Sequence, residues 1–205
     1  MMKIGVLVSG GGTNLQAIID KVHGKTGEIA VVIANNPDAY GLVRAQKAGI
    51  ATAVVVEQDC GSPEAFNQKM MAVLKAHDVE LVVLAGFMRI LTPAFVRAYP
   101  NRIVNIHPAL IPSFCGEGFY GMHVHQAVYD YGVKVSGPTV HFVSEEADAG
   151  PIIAQRTVAL DDSDKPEAIQ KKVLVLEHEL LPWVVEQICL GHVHVDGRRV
   201  AIDCK

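Results

Sequence analysis

Short runs that are apolar on both faces recur along the first half of the chain and alternate with segments of helical periodicity. A strand that is hydrophobic on both faces belongs in a parallel sheet covered by helices. The pattern predicts strands at residues 3–8, 30–33, 53–56, 80–86 and 102–107, and helices near residues 13–22, 41–48 and 63–77 and after Pro93. We therefore expect an α/β fold, a three-layer, Rossmann-like, mostly parallel sheet with helices on both faces.

The last third of the chain follows a different pattern. Residues 134–145 and 151–160 form two successive β-rich runs with no helical pattern between them, which predicts an antiparallel portion of the sheet. Residues 165–190 predict one long helix that Pro182 kinks or divides. Residues 193–202 predict a hairpin with Asp196 and Gly197 in a type I′ turn. Neither repeats nor linkers interrupt the chain, so one domain over residues 1–205 is expected.

Composition narrows the range of partners. The formal net charge is -4 and no long basic run occurs, which argues against nucleic acid but leaves small anionic substrates open. The amino terminus has no signal-peptide pattern, and no apolar stretch is long enough for a membrane span. The four cysteines are scattered at positions 60, 115, 189 and 204, as is typical of free thiols. We expect a cytoplasmic protein without a membrane partner.

A glycine turn, SGGGTNL at residues 9–15, lies between the first predicted strand and helix. Thr13 or Asn14 is expected to cap that helix. Backbone N–H groups at a helix N-terminus suit an anion, so we expect Gly11, Gly12, Thr13 and Asn14 to bind a single phosphate. The motif is neither a P-loop nor a good dinucleotide fingerprint. A tight turn without a ligand is the alternative.

Polar side chains end the strand at residues 102–107, at the edge where open α/β sheets bind ligands. Asn105 and His107 are two residues apart and so share a face. An amide N–H can stabilise an oxyanion, and an imidazole can move protons near neutral pH. A carboxylate at Asp148 would raise the pKa of His107 and orient it, with His141 as a supporting group. The alternatives are a structural polar pair at Asn105 and His107 and an ordinary Asx turn at Asp148.

Other polar pairs favour structural roles. His192 and His194 lack an evident third ligand, and His123 and His125 stand at a predicted helix start, so no metal site is expected. Cys115 lies in a glycine-rich loop without an assignable base, which argues against a catalytic thiol.

Four motifs together resemble the phosphoribosylglycinamide formyltransferase family, folate-dependent enzymes of purine synthesis. They are SGGGTNLQAIID, LAGFMRIL, NIHPALIPSF and TVHFVSEEADAGPII, and the resemblance extends over residues 3–182. It implies transfer of a formyl group from 10-formyltetrahydrofolate to the amine of glycinamide ribonucleotide, through a tetrahedral intermediate and without a metal.

The resemblance also implies roles for particular residues. Asn105, His107 and Asp148 would be catalytic, and Glu177 would contact the ribonucleotide beside the glycine turn. The folate pocket would comprise Met88, Arg89, Ile90, Leu91, Asn105, Glu145, Glu146, Ala147 and Asp148. Two features differ from some members of the family: the loop after Ile111 is longer, and no Arg occurs at residues 62–64 to help bind folate.

Several related functions remain open at this point. Another enzyme that uses 10-formyltetrahydrofolate, either a formyltetrahydrofolate hydrolase or an aminoacyl-tRNA formyltransferase, would share the catalytic set. A non-catalytic nucleotide-binding module would keep the same residues for structure alone. The partners expected are small-molecule substrates, and the protein is expected to be a monomer or a homodimer.

Overall fold

The computed structural model describes residues 1–203, and Cys204 lies outside the described residues. Its main sheet has seven strands in the order β3-β2-β1-β4-β5-β7-β8. The strands β1 to β5 pair in parallel, and β7 and β8 extend the sheet antiparallel, which confirms the predicted fold class. The strands of this sheet are Met2–Val8 (β1), Gly27–Ala34 (β2), Ala51–Val54 (β3), Leu81–Leu84 (β4), Ile103–His107 (β5), Thr139–Phe142 (β7) and Ile152–Gln155 (β8).

Two small sheets accompany it. Val135–Ser136 (β6) pairs with Val158–Ala159 (β9), and Val193–Asp196 (β10) pairs with Arg199–Ile202 (β11), both antiparallel. The helices are Thr13–Lys21 (α1), Tyr40–Lys47 (α2), Pro63–Ala76 (α3), Pro93–Ala98 (α4), Met122–Tyr131 (α5) and Pro166–Cys189 (α6), with a 3₁₀ turn at Glu57–Asp59. Within residues 1–203, no helix combines the length and the apolar character needed to cross a membrane.

The sheet separates two hydrophobic cores. One face packs against α1, α2 and α6 and includes Val104 and Ile106 of β5. The other face packs against α3 and α4 and includes Ile103. Because side chains alternate along a strand, Asn105 and His107 project from the same face as Ile103.

The first helix begins differently from the prediction. Neither Thr13 nor Asn14 caps α1: the N-cap residue is Gly12, in the left-handed region at φ 68° and ψ 33°, and no side chain caps the helix. The N–H groups of the first helical turn therefore remain available as donors.

Pro182 neither divides α6 nor ends it. A proline removes the N–H that would bond to the carbonyl four residues earlier, here that of His178. Lys21 Nζ donates to that carbonyl at 2.8 Å instead. Of the two predicted effects of Pro182, division of the helix is wrong, and a side chain of α1 supplies the donor that the proline lacks.

The terminal hairpin has its turn one residue later than predicted. Asp196 pairs with Arg199, so the two loop residues are Gly197 and Arg198. Gly197 has φ 56°, whereas Arg198 is not among the residues with positive φ. A type I′ turn needs positive φ at both positions, so that prediction is wrong. The third strand also begins two residues earlier than expected.

Candidate active site

The glycine turn forms one wall of a cavity at the carboxyl edge of the sheet. The cavity measures about 300 Å³ and is lined by residues 9–14, 85, 86 and 88. A Cβ atom on Gly12 would lie 2.7 Å from the Cα of Gly41, so α2 leaves no room for a side chain there. Arg44 Nε donates to the Gly11 carbonyl at 2.8 Å and braces the turn from α2. The uncapped N-terminus of α1 thus faces a cavity, as an anion site requires.

A buried carboxylate from a distant part of the chain contacts this wall. Glu177 on α6 is 8% exposed, and Asn14 Nδ2 donates to its Oε2 at 2.7 Å. Burial raises the pKa of Glu177, and the bond from Asn14 lowers it in part. The Asn14 Oδ1 atom is buried without a hydrogen-bond partner. The two predicted ribonucleotide residues therefore lie in contact and leave an acceptor for a further donor.

The second group of predicted residues converges on the α3–α4 face of the sheet. Asp148 Oδ2 lies 3.5 Å from His107 Nδ1, and its Oδ1 lies 3.6 Å from His141 Nε2. Asn105 Nδ2 donates to His141 Nε2 at 3.2 Å, because His141 Nδ1 is committed to the Phe142 carbonyl at 2.8 Å. An amide, two imidazoles and a carboxylate thus form one connected cluster.

The segment after β5 closes this cluster with its backbone. His107 Nε2 donates to the Phe114 carbonyl at 2.8 Å, and the Gly116 N–H donates to Asp148 Oδ2 at 2.9 Å. Phe114 and Asp148 both have positive φ, 52° and 53°, which is uncommon outside glycine. Such backbone strain is concentrated at functional sites.

Burial and charge act in opposite directions on the acid–base pair. Burial lowers the pKa of His107, and the Asp148 carboxylate and the Phe114 carbonyl only partly oppose this. Burial would raise the pKa of Asp148, but its contacts with His141 and His107 and the bond from the Gly116 N–H leave it below its usual value. Asp148 therefore raises the pKa of His107, as its carboxylate was expected to do, but by less than burial lowers it.

The predicted folate residues occupy different environments. Met88 and Ile90 are exposed, whereas Leu91 is buried in the core between the sheet and α3–α4. Arg89 Nε lies 3.0 Å from a Glu57 oxygen. Leu91 can therefore offer a ligand its backbone but not its side chain.

On the neighbouring loop, Glu145 and Glu146 precede Asp148. Arg97 of α4 binds the Glu145 carboxylate at 2.8 Å, and Ser144 Oγ donates to the Glu146 carbonyl at 2.9 Å. The loop is thus held by its side chains, and its backbone follows the edge of the acid–base cluster.

The glycine cavity and the acid–base cluster are adjacent. The lining of the cavity includes Ala85 and Gly86, which follow Leu84, and Leu84 pairs with Asn105 across β4 and β5. Asn105, His107 and Asp148 do not line the cavity itself. Ligands in the two places would lie at neighbouring strand ends.

Three residues that contact or adjoin the acid–base cluster were not predicted from the sequence. Phe114 and Gly116 act through backbone atoms, which leave no signal in the residue types. His125 is 2% exposed, and its Nδ1 has no hydrogen-bond partner. Its pKa is lowered to about 4 by burial and by His107. The HVH spacing placed His125 on a helix but could not show that it faces His107.

The remaining histidines rated as possible ligands form pairs of their own. His192 Nδ1 lies 2.9 Å from a Gln187 oxygen, and His194 Nε2 lies 2.9 Å from an Asp203 oxygen. Among residues 1–203, no group of three or more His, Cys, Asp or Glu side chains is arranged to hold a metal ion.

The fold and the site together define an α/β enzyme with an acid–base cluster at the carboxyl edge of its sheet. Residues 2–185 match the family model described as formyl transferase. The chain is 39% identical to the phosphoribosylglycinamide formyltransferase of Escherichia coli (strain K12), over 98% of this chain and 94% of that protein. The chain belongs to the formyl transferase family, which confirms the resemblance of its motifs.

Two further comparisons show how much of the chain is similar to known proteins. The chain is 41% identical to the trifunctional purine biosynthetic protein adenosine-3 of Gallus gallus over 95% of this chain, but spans only 19% of that protein. The crystal structure of glycinamide ribonucleotide transformylase 1 from Symbiobacterium toebii superposes with a TM-score of 0.93 at 41% identity, covering 98% of this chain and 94% of that one. The similarity to this structure therefore covers more of the chain than the residues that the family model matches.

Proposed function

We propose that this enzyme transfers the formyl group of 10-formyltetrahydrofolate to the amine of glycinamide ribonucleotide. One observation carries the proposal: the Asp148 carboxylate lies within 3.6 Å of both His107 and His141, beside a glycine turn suited to a phosphate. The names and the extent of the relatives support the same substrates.

The ribonucleotide occupies the glycine cavity. Its phosphate accepts hydrogen bonds from the backbone of Gly12, Thr13 and Asn14 at the positive end of α1. Glu177 accepts from a sugar hydroxyl, and the unpartnered Asn14 Oδ1 accepts a second bond. This arrangement points the substrate amine along the strand ends toward Asn105.

The folate donor lies between the segment at residues 88–91 and the loop at residues 145–148. Met88 and Ile90 supply exposed apolar surface, and the loop supplies backbone groups for a polar ring. The formyl carbon is then held near the amine, and such positioning can contribute about 7–11 kcal/mol to lowering the barrier.

Transfer needs no nucleophile from the protein. The substrate amine attacks the formyl carbon, and Asn105 Nδ2 stabilises the oxyanion that forms. His107, neutral at rest because burial lowers its pKa, takes the proton of the amine and becomes an imidazolium beside Asp148. It returns a proton to the folate nitrogen as the carbon–nitrogen bond to folate breaks. The protonation states of enzyme and folate balance over the cycle.

The hydrogen bond between His107 and Phe114 must break during this cycle. The Phe114 carbonyl accepts from Nε2 of His107, while Nδ1 faces Asp148. Once bound ligands replace the Phe114 carbonyl, the neutral ring takes the tautomer with its proton on Nδ1, which points to the carboxylate. Nε2 is then unprotonated and can take the proton of the amine and return it to the folate nitrogen.

We propose that residues 1–205 act as one domain in the cytoplasm on small-molecule substrates. The Asn14–Glu177 bond, which joins α1 to α6, supports a single unit.

The test is to incubate the protein with 10-formyltetrahydrofolate and glycinamide ribonucleotide and to follow deformylated folate. Asn105→Ala and His107→Ala should each lower turnover about 10²–10³-fold, while far-UV circular dichroism and thermal unfolding show that the variants stay folded. His123→Ala, at an exposed position, is the control and should retain the wild-type rate.

Other outcomes would point to the alternatives. Deformylation of the folate in the absence of glycinamide ribonucleotide would indicate a formyltetrahydrofolate hydrolase. Formylation of an aminoacyl-tRNA instead of the ribonucleotide would indicate an aminoacyl-tRNA formyltransferase. The absence of any reaction would favour a binding module. Near-full rates in either variant would remove Asn105 or His107 from the chemistry.

A further inference from the structure

The loop that presents Asp148 is held at both ends by arginines from distant parts of the chain. At its start, Arg97 of α4 binds Glu145 at 2.8 Å. At its end, Arg198 Nη1 donates to the Ala149 carbonyl at 3.0 Å. Asp148 lies between these contacts in the left-handed conformation, at φ 53°.

The far end of the loop is also sterically fixed. A Cβ atom on Gly150 would lie 1.8 Å from the Phe142 carbonyl oxygen, so the chain passes tightly over the end of β7. A non-glycine residue holds positive φ only where its surroundings enforce it. Arg198 contacts the residue directly between this tight passage and Asp148.

Arg198 lies on a hairpin that packs against the rest of the protein. It lies in the two-residue turn of the β10–β11 hairpin, and β11 packs against the edge strand β8. Val193, Val195, Val200 and Ile202 pack against the core on the α1, α2 and α6 side. The hairpin thus spans the sheet edge from one core toward the acid–base cluster, and it lies beyond residues 2–185.

We propose that Arg198 is a positioning residue: through the Ala149 carbonyl, the terminal hairpin holds Asp148 in the conformation that faces His107. This inference rests on the proposed function, in which Asp148 stabilises the His107 imidazolium. Arg198 touches neither the acid–base cluster nor the glycine cavity, so it acts only through the loop.

The test compares Arg198→Ala with Arg199→Ala in the full chain. Both arginines are exposed residues of the same hairpin, and within residues 1–203 no side-chain hydrogen bond or ion pair is found for Arg199. Losing one hydrogen bond should lower kcat about threefold to tenfold in Arg198→Ala. The KM for the ribonucleotide should stay unchanged because Asn14 and Glu177 are untouched. Arg198→Lys should recover part of the rate.

A second readout does not depend on turnover. In Arg198→Ala, the pKa of His107, followed by NMR of its imidazole, should fall below the wild-type value because Asp148 no longer faces it steadily. The other groups around His107, namely His141 and His125, are the same in both variants. Arg199→Ala should titrate like the wild type.

The inference is overturned if Arg198→Ala matches Arg199→Ala in both kcat and the His107 titration. It is also overturned if the only change is a lower unfolding temperature with an unaltered titration, which would mark a merely stabilising contact. A wild-type protein that transfers no formyl group would refute the proposed function, and the titration would still decide the role of Arg198.

Discussion

Replacing Asp148 by Asn should separate the charge of this residue from its shape. Asn keeps an oxygen that can accept from the Gly116 N–H, but it removes the carboxylate 3.5 Å from His107. An opposite charge at this range shifts a pKa by about 1–3 units, and each unit corresponds to about 1.4 kcal/mol or a tenfold change. Because the imidazolium forms only during the reaction, loss of this charge should lower kcat about 10- to 1000-fold. Only 15% of the Asp148 side chain is exposed, so solvent screens its charge little, and we expect a fall near the upper end of that range.

The assay is the dependence of kcat on pH, together with NMR titration of His107. The Asp148 carboxylate raises the pKa of His107 against the larger effect of burial. Its removal must therefore lower that pKa further and move the limb of the profile that reports His107 to lower pH. Turnover within twofold of wild type, or an unshifted limb, would refute the proposed pairing of Asp148 with His107.

Two further predictions concern buried groups. Glu177→Gln should raise the KM for the ribonucleotide about tenfold, the effect of one charge-assisted hydrogen bond, and leave the KM for folate unchanged in steady-state assays; equal rises in both would contradict the assigned site. His125, with a folded pKa of about 4, stabilises the protein above its unfolded pKa of about 6.5. The free energy of unfolding should therefore fall by about 3 kcal/mol as pH drops from 6.5 to 4. Denaturant titrations should show a smaller fall in His125→Asn than in the exposed control His123→Asn, and equal falls would count against this reading.

The parallel core of the fold could be predicted because burial on both faces leaves a simple sequence pattern. Runs such as residues 81–85 are apolar throughout, and only a covered sheet accommodates them. The fate of Pro182 could not be predicted in this way, because the donor that satisfies the His178 carbonyl is Lys21, 157 residues away in sequence. The cap of α1 was missed for a similar reason: the tight approach of Gly41 to Gly12 is a tertiary contact.

The candidate site, too, could be predicted only in part from the sequence. Asn105 and His107 could be placed on one face from their spacing alone. That Asp148 reaches His107 depends on the course of a loop whose conformation includes positive φ at Asp148 itself, which sequence patterns do not encode. The resemblance to known motifs suggested the grouping, and the distances show that the side chains meet. Their roles in formyl transfer stay predictions until the variants are measured.

The bond between Asn14 and Glu177 joins positions 163 residues apart, and this has a consequence for biosynthesis. During translation, the glycine turn leaves the ribosome well before α6. A nascent chain therefore carries an incomplete ribonucleotide site until α6 has emerged. The site can bind its substrate fully only after α6 docks against α1.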